Sequence, residues 1–170
     1  LEDLAAVAAI MKDKLVHPGV SAGIAPGSRA TLLAAEKAGI LADLIRSGFR
    51  ILESACGPCI GMGFAPKSGG VSLRSFNRNF KGRSGTQDAQ VYLVSPETAA
   101  AAALTGRITD PNEFPIQKQD LSEAAAYGQE AAGDNMLIPP IPLEAAKQVE
   151  IERGPNIKPC PAPQAIANAV

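Results

Sequence analysis

The sequence predicts an α/β fold with a mostly parallel sheet. Short apolar runs of strand length alternate with amphipathic stretches of helical period, as crossover units require. Glycine and proline mark most of the changeovers between them. With 46% hydrophobic and 19% charged residues over 170 positions, the chain can bury a core of domain size.

The first element is a helix over Leu1 to Lys14, with Leu4, Val7, Ala8, Met11 and Leu15 at three-to-four spacing. His17-Pro18-Gly19 breaks it, and Val20 to Ala25 reads as a short strand. Ser28, after Pro26-Gly27, is placed to cap a helix through Lys37, with Gly39 as its stop. A second short helix runs from Ile40 to Arg46 and ends at Gly48. Phe49 to Glu53 reads as a buried strand, and Cys56 and Cys59 lie just beyond its carboxyl end. Gly57 to Gly70 is glycine- and proline-rich and reads as a loop.

Val71 to Phe76 resumes as a strand, Asn77 to Gly85 is polar and basic, and Ala89 to Val94 is a further strand. Ser95-Pro96-Glu97 opens a helix with a capping serine, a first-turn proline and an early acid; it ends at Gly106. Asp120 with Glu123 suggests a capping box for a helix to Tyr127. From Gly133 the chain reads as an irregular, proline-rich, extended tail.

A formal net charge of −1 gives no electrostatic reason to expect nucleic acid. No apolar run approaches the roughly 20 residues of a membrane span, and no signal peptide is visible, so the cytoplasm is the expected compartment. The chain opens at Leu1 inside an amphipathic pattern, and both ends look cut from something larger.

Three cysteines are too few for a disulfide framework. The Cys56-Gly57-Pro58-Cys59 pair fits several chemistries, or simply two small buried residues beside a turn. A redox dithiol usually opens a long helix, which Gly61, Gly63 and Pro66 discourage. A zinc site lacks a second pair; Cys160 sits in a tail, and His17, the only histidine, precedes a turn. An iron–sulfur site needs at least one more thiolate. In the second constellation, Asn77, Arg78 and Arg83 lie on a loop leaving a strand, where two arginines suit paired hydrogen bonds to carboxylates. A solvated basic loop would look the same.

In this order, Glu53-Ser54-Ala55-Cys56-Gly57-Pro58-Cys59-Ile60-Gly61 and Phe76-Asn77-Arg78-Asn79-Phe80-Lys81-Gly82-Arg83 resemble the aconitase and isopropylmalate dehydratase large-subunit family. Pro26-Gly27-Ser28, Ser95-Pro96-Glu97-Thr98 and Gly106-Arg107-Ile108-Thr109-Asp110-Pro111 look like its other landmarks, so the resemblance covers Leu1 to Pro111. It implies a three-layer α/β/α domain over residues 1–132, lacking its N-terminal part, and a linker over 133–170 toward a swivelling domain. Its cofactor would be a 4Fe–4S cluster with Cys56 and Cys59 as two of three cysteine ligands, the first lying upstream in a Cys-Thr-Asn motif. Asn77, Arg78 and Arg83 would bind a small di- or tricarboxylate substrate, while Ser28 carries over less directly.

The family's catalytic base is a serine on another domain, so the resemblance implies an inactive chain in isolation, without a stable cluster. The remaining domains of the parent enzyme would be its partners. The tail Ile151-Glu152-Arg153-Gly154-Pro155-Asn156-Ile157-Lys158-Pro159 looks like that of single-chain bacterial aconitate hydratases. This favours citrate and isocitrate; the alternatives are 3-isopropylmalate, homoaconitate, or a noncatalytic or thiol-redox module.

Overall fold

Residues 1–117, 119–133, 137–150, 152, 154–156 and 158 are described in a computed structural model. The chain divides into two units, Leu1–Asp134 and Asn135–Val170. Cys160 and several positions of the 151–159 tail lie outside the described residues.

Helix α1 spans Glu2–Met11, with Glu2 and Asp3 in its first turn and Leu4, Val7, Ile10 and Met11 buried. It stops short of the expected Lys14. Asp13 turns into the left-handed region at φ 57°, and the Lys14 ammonium caps the Ile10 carbonyl at 3.0 Å. Strand β1 (Gly23–Ile24) leads into α2 (Arg29–Lys37), where the Ser28 hydroxyl accepts from the Thr31 amide at 3.1 Å. Gly39, at φ 75°, separates α2 from α3 (Ile40–Arg46). The crossover closes on β2 (Arg50–Ile51), parallel to β1 with Gly23 opposite Arg50.

Beyond the cysteine turn, β3 (Val71–Arg74) and β4 (Gln90–Leu93) form a second parallel pair, with Val71 opposite Gln90. Parallel pairing is as expected. The strands are shorter than the sequence suggests, however, and among the described residues they form two separate two-stranded sheets. A hollow of about 810 Å³ has residues of β1 and β3 in its walls, together with Leu4 of α1 and Ala100 of α4 (Pro96–Thr105). α4 begins at Ser95, whose hydroxyl accepts from the Thr98 amide at 3.1 Å, and ends at Gly106 with φ 76°.

The core lies where α1, α3 and α4 meet. Met11, Leu44 and Ala100 are sealed there, and Phe49 closes one side. Each large apolar side chain so buried contributes roughly 1.5–3 kcal/mol. Ser47 is buried as well, and its hydroxyl donates to the Met11 carbonyl at 3.1 Å, tying the end of α3 to the end of α1.

Helix α5 spans Ser122–Ala132, five residues beyond the expected Tyr127 end. Gly128 does not break it, because glycine is what this position needs. A Cβ there would run into the Ala30 carbonyl and the Ala34 side chain of the packed α2. The expected capping box is replaced by a simpler device. Asp120 Oδ1 accepts from the Ser122 amide at 3.0 Å, Leu121 is the cap residue, and Glu123 makes no reciprocal bond. Among the described residues of the second unit, a short helix, α6 (Leu143–Ala146), occupies part of the stretch read as extended. Among the described residues no helix is long and apolar enough to cross a membrane.

Candidate functional site

The cysteine turn follows β2 and is folded by its own backbone. The Ile60 and Met62 amides donate to the Gly57 carbonyl at 3.1 and 2.9 Å, and the Gly61 amide donates to the Pro58 carbonyl at 3.1 Å. Pro58–Ile60 is thereby one 3₁₀ turn. Both cysteines are free thiols, Cys56 exposed and Cys59 buried at 5% exposure. A short 3₁₀ turn is not the long helix whose N-terminus activates a redox dithiol.

The arginine loop docks onto this turn, backbone against backbone. Gly61 sits at φ 87°, and a Cβ there would collide with the Ser84 carbonyl. Gly85, at φ 94°, presents its Cα side to the Ile60 carbonyl, where a Cβ would come within 3.3 Å. Two glycines therefore permit an approach that side chains would prevent. It carries Arg83 to the cysteines. Its Nη2 donates to Cys59 Sγ at 3.6 Å, and its guanidinium lies 5.9 Å from the Phe80 ring centre. Arg83 Nε is buried and has no partner among the described residues, nor has the Ser84 hydroxyl oxygen. An unsatisfied buried guanidinium donor beside a sulfur suits an anion not otherwise supplied by the loop.

Asn77 and Arg78 are exposed on the same loop, just past the end of β3. Of the three expected substrate-binding residues, only Arg83 contacts a cysteine. His17 is a turn residue: its Nδ1 accepts from the Gly19 amide at 3.1 Å, and its ring fills the space beside Gly106.

Arg74 was absent from the sequence-derived set. It is buried at 6% exposure, with Nη1 on the Pro58 carbonyl, Nη2 on the Phe64 carbonyl at 2.7 Å and Nε on the Ser72 hydroxyl at 3.0 Å. Burial pulls its pKa below the ordinary arginine value, and Cys59 partly offsets that. The one available signal was a charged residue ending an apolar strand just before the loop.

Among the described residues no group of three or more His, Cys, Asp or Glu side chains is gathered to hold a metal ion. Cys56 and Cys59 are the two free thiols on the cysteine turn. Soft sulfur donors on one tight turn, one beside a guanidinium with a spare donor, fit two ligand positions of an anionic iron–sulfur centre.

Residues 1–106 match the family described as the aconitase family (aconitate hydratase). The chain is 44% identical to the 3-isopropylmalate dehydratase large subunit of Elusimicrobium minutum over 115 residues, 67% of this chain and 28% of that protein. It is 34% identical over 173 residues to the mitochondrial homoaconitase of Candida albicans, covering 92% of this chain and 25% of the relative. A probable methanogen homoaconitase large subunit from Methanosarcina mazei is 47% identical over 115 residues, 67% of this chain and 29% of that protein. The chain thus spans under a third of the length of each of these relatives.

Proposed function

The chain belongs to the aconitase family, and on that premise we propose that it is part of an iron–sulfur hydro-lyase. In this reading it supplies two cluster thiolates, Cys56 and Cys59, and an arginine loop for the substrate's carboxylates. The observation that carries the proposal is the interlock of the two loops, which sets Arg83 Nη2 3.6 Å from Cys59 Sγ. A guanidinium fixed there can grip a carboxylate in a defined orientation to whatever the sulfur ligates. Exposed Arg78 and Asn77 complete the carboxylate-binding side of the loop. When bound, the cluster supplies a Lewis-acidic iron that polarises a substrate hydroxyl.

The substrate we favour is a small hydroxy-dicarboxylate or tricarboxylate of the isopropylmalate or homoaconitate type. The similar proteins quoted above are named for those activities. The expectation of citrate and isocitrate rested on the 151–159 tail, several of whose positions lie outside the described residues. The three-layer arrangement over 1–132, the linker role of 133–170, the cytoplasmic location and the need for further domains or a partner subunit belong to this same proposal.

Anaerobic loading of the parent protein with iron and sulfide, followed by turnover assays on isopropylmalate, homoaconitate and citrate, tests it. A visible iron–sulfur band that is lost in Cys59→Ala, together with turnover of one of these acids, is the expected result. A stable parent protein with neither would overturn it. Arg83→Ala should lower kcat/KM by about a hundredfold or more while the band remains. Near-normal turnover would remove Arg83 from the substrate site.

A further inference from the structure

We infer that Arg74 is a positioning residue for Cys59: its guanidinium grips the cysteine turn on both sides of that residue and sets a buried positive charge behind it. Nη1 holds the Pro58 carbonyl, the position just before Cys59, and Nη2 holds the Phe64 carbonyl five positions after it. Nε is anchored on Ser72 of β3 at 3.0 Å, so the guanidinium that holds the two loop carbonyls is itself fixed to the sheet. Only a planar fork of fixed donors spans three such acceptors, which a lysine ammonium cannot do.

The charge needs its own account. Arg74 is 6% exposed, and its three acceptors, two carbonyls and a hydroxyl, are neutral. Among the described residues the ion pairs are Arg46 with Asp43 and Lys147 with Glu144, so no carboxylate pairs with Arg74. A buried cation without an anion is costly. An anionic cluster held at Cys59 would supply that compensation. Arg83 donates to the Cys59 sulfur at 3.6 Å from the arginine loop, while Cys56 is exposed. The charge half of this inference rests on the cluster-ligand reading; the clamp half does not.

The test compares Arg74→Met, Arg74→Lys and a control, Arg50→Gln, in this chain. Arg50 also reaches the loop, donating to the Gly63 carbonyl at 3.3 Å, but from an exposed position. Hydrogen exchange is followed over Gly57–Phe64. Cys59 and Cys56 are alkylated at about pH 9.5, above the ordinary thiol value, so that accessibility rather than ionisation sets the ratio. Arg74→Met should raise Cys59 labelling relative to Cys56 by about tenfold or more and open the loop amides, with α1, α3 and α4 still protected. Arg74→Lys should fall between Met and wild type, and Arg50→Gln should match wild type.

Unchanged Cys59 labelling in Arg74→Met, or an equal effect from Arg50→Gln, would overturn the clamp. Should Arg74→Met fail to fold, Arg74→Lys decides alone: faster loop exchange with intact helix protection supports the clamp, and wild-type behaviour overturns it. In the cluster-loaded parent, Arg74→Lys should shift the paramagnetic resonance signature or the midpoint potential; identical spectra would overturn the charge half. The thiol and exchange measurements need no iron. Success there with no cluster in the parent would therefore count against the family chemistry and leave the clamp standing.

Discussion

The helical core and the cysteine turn are both tightly held, but by different forces. Around Leu44, which is 0% exposed, apolar side chains from α1, α3 and α4 fill space, and no single direction matters much. Around Cys59, hydrogen bonds and backbone approaches do the work: Arg74 to two carbonyls, Arg83 to sulfur, Gly61 against Ser84. Apolar packing supplies stability and tolerates small shifts. Directional contacts supply less net stability, yet they fix atoms to a fraction of an ångström. A site that must present sulfur and guanidinium together needs the second kind.

Substitutions can separate the two regions. Leu44→Ala should cost roughly 2–5 kcal/mol and lower the denaturant midpoint of the whole unit, because it leaves a cavity in the core. A fall no larger for the cysteine turn than for the helices would fit; loss confined to the turn would break the distinction. Gly61→Ala should cost about 1–3 kcal/mol, through the left-handed backbone and the collision with Ser84. That loss should be local, read as faster exchange over both loops and faster Cys59 labelling while the helices keep their protection. Global unfolding by this one methyl would show that the turn and the core are a single cooperative body.

Smaller effects mark the edges of the contrast. Ser95→Ala removes the cap of α4 and should cost about 1 kcal/mol, visible as a lower midpoint without any change at the cysteines. The least effect is on acidification. The Ser122 amide holds the Asp120 carboxyl below the usual aspartate range. A lowered folded-state value means stability present above the unfolded pKa and lost as pH falls through the folded one. The start of α5 should therefore loosen only below the ordinary aspartate pKa, and Asp120→Asn should flatten that dependence.

What could be read from the sequence was local. Ser28, Ser95, Gly39 and Gly106 sit at helix ends where residue type and conformation are coupled over three or four positions, and each serves as expected. The family motifs were visible for the same reason, as contiguous strings. The helix expected to end at Tyr127 runs on through Gly128, whose partner, Ala30 on α2, lies almost a hundred positions away. The splitting of the strands into two pairs depends on pairing between distant segments, which period alone does not encode. Arg74 escaped notice because charged residues are ordinarily assigned to the surface, and its three acceptors are scattered over Pro58, Phe64 and Ser72.

The two separate strand pairs also affect how the chain behaves in company. Among the described residues β4 pairs only with β3, so no described strand lies on its far side, and Tyr92 and Leu93 on β4 are exposed. Such an edge is a template onto which another polypeptide can add. Self-association that climbs steeply with concentration would start there, and a lysine at position 92 is the change that would blunt it.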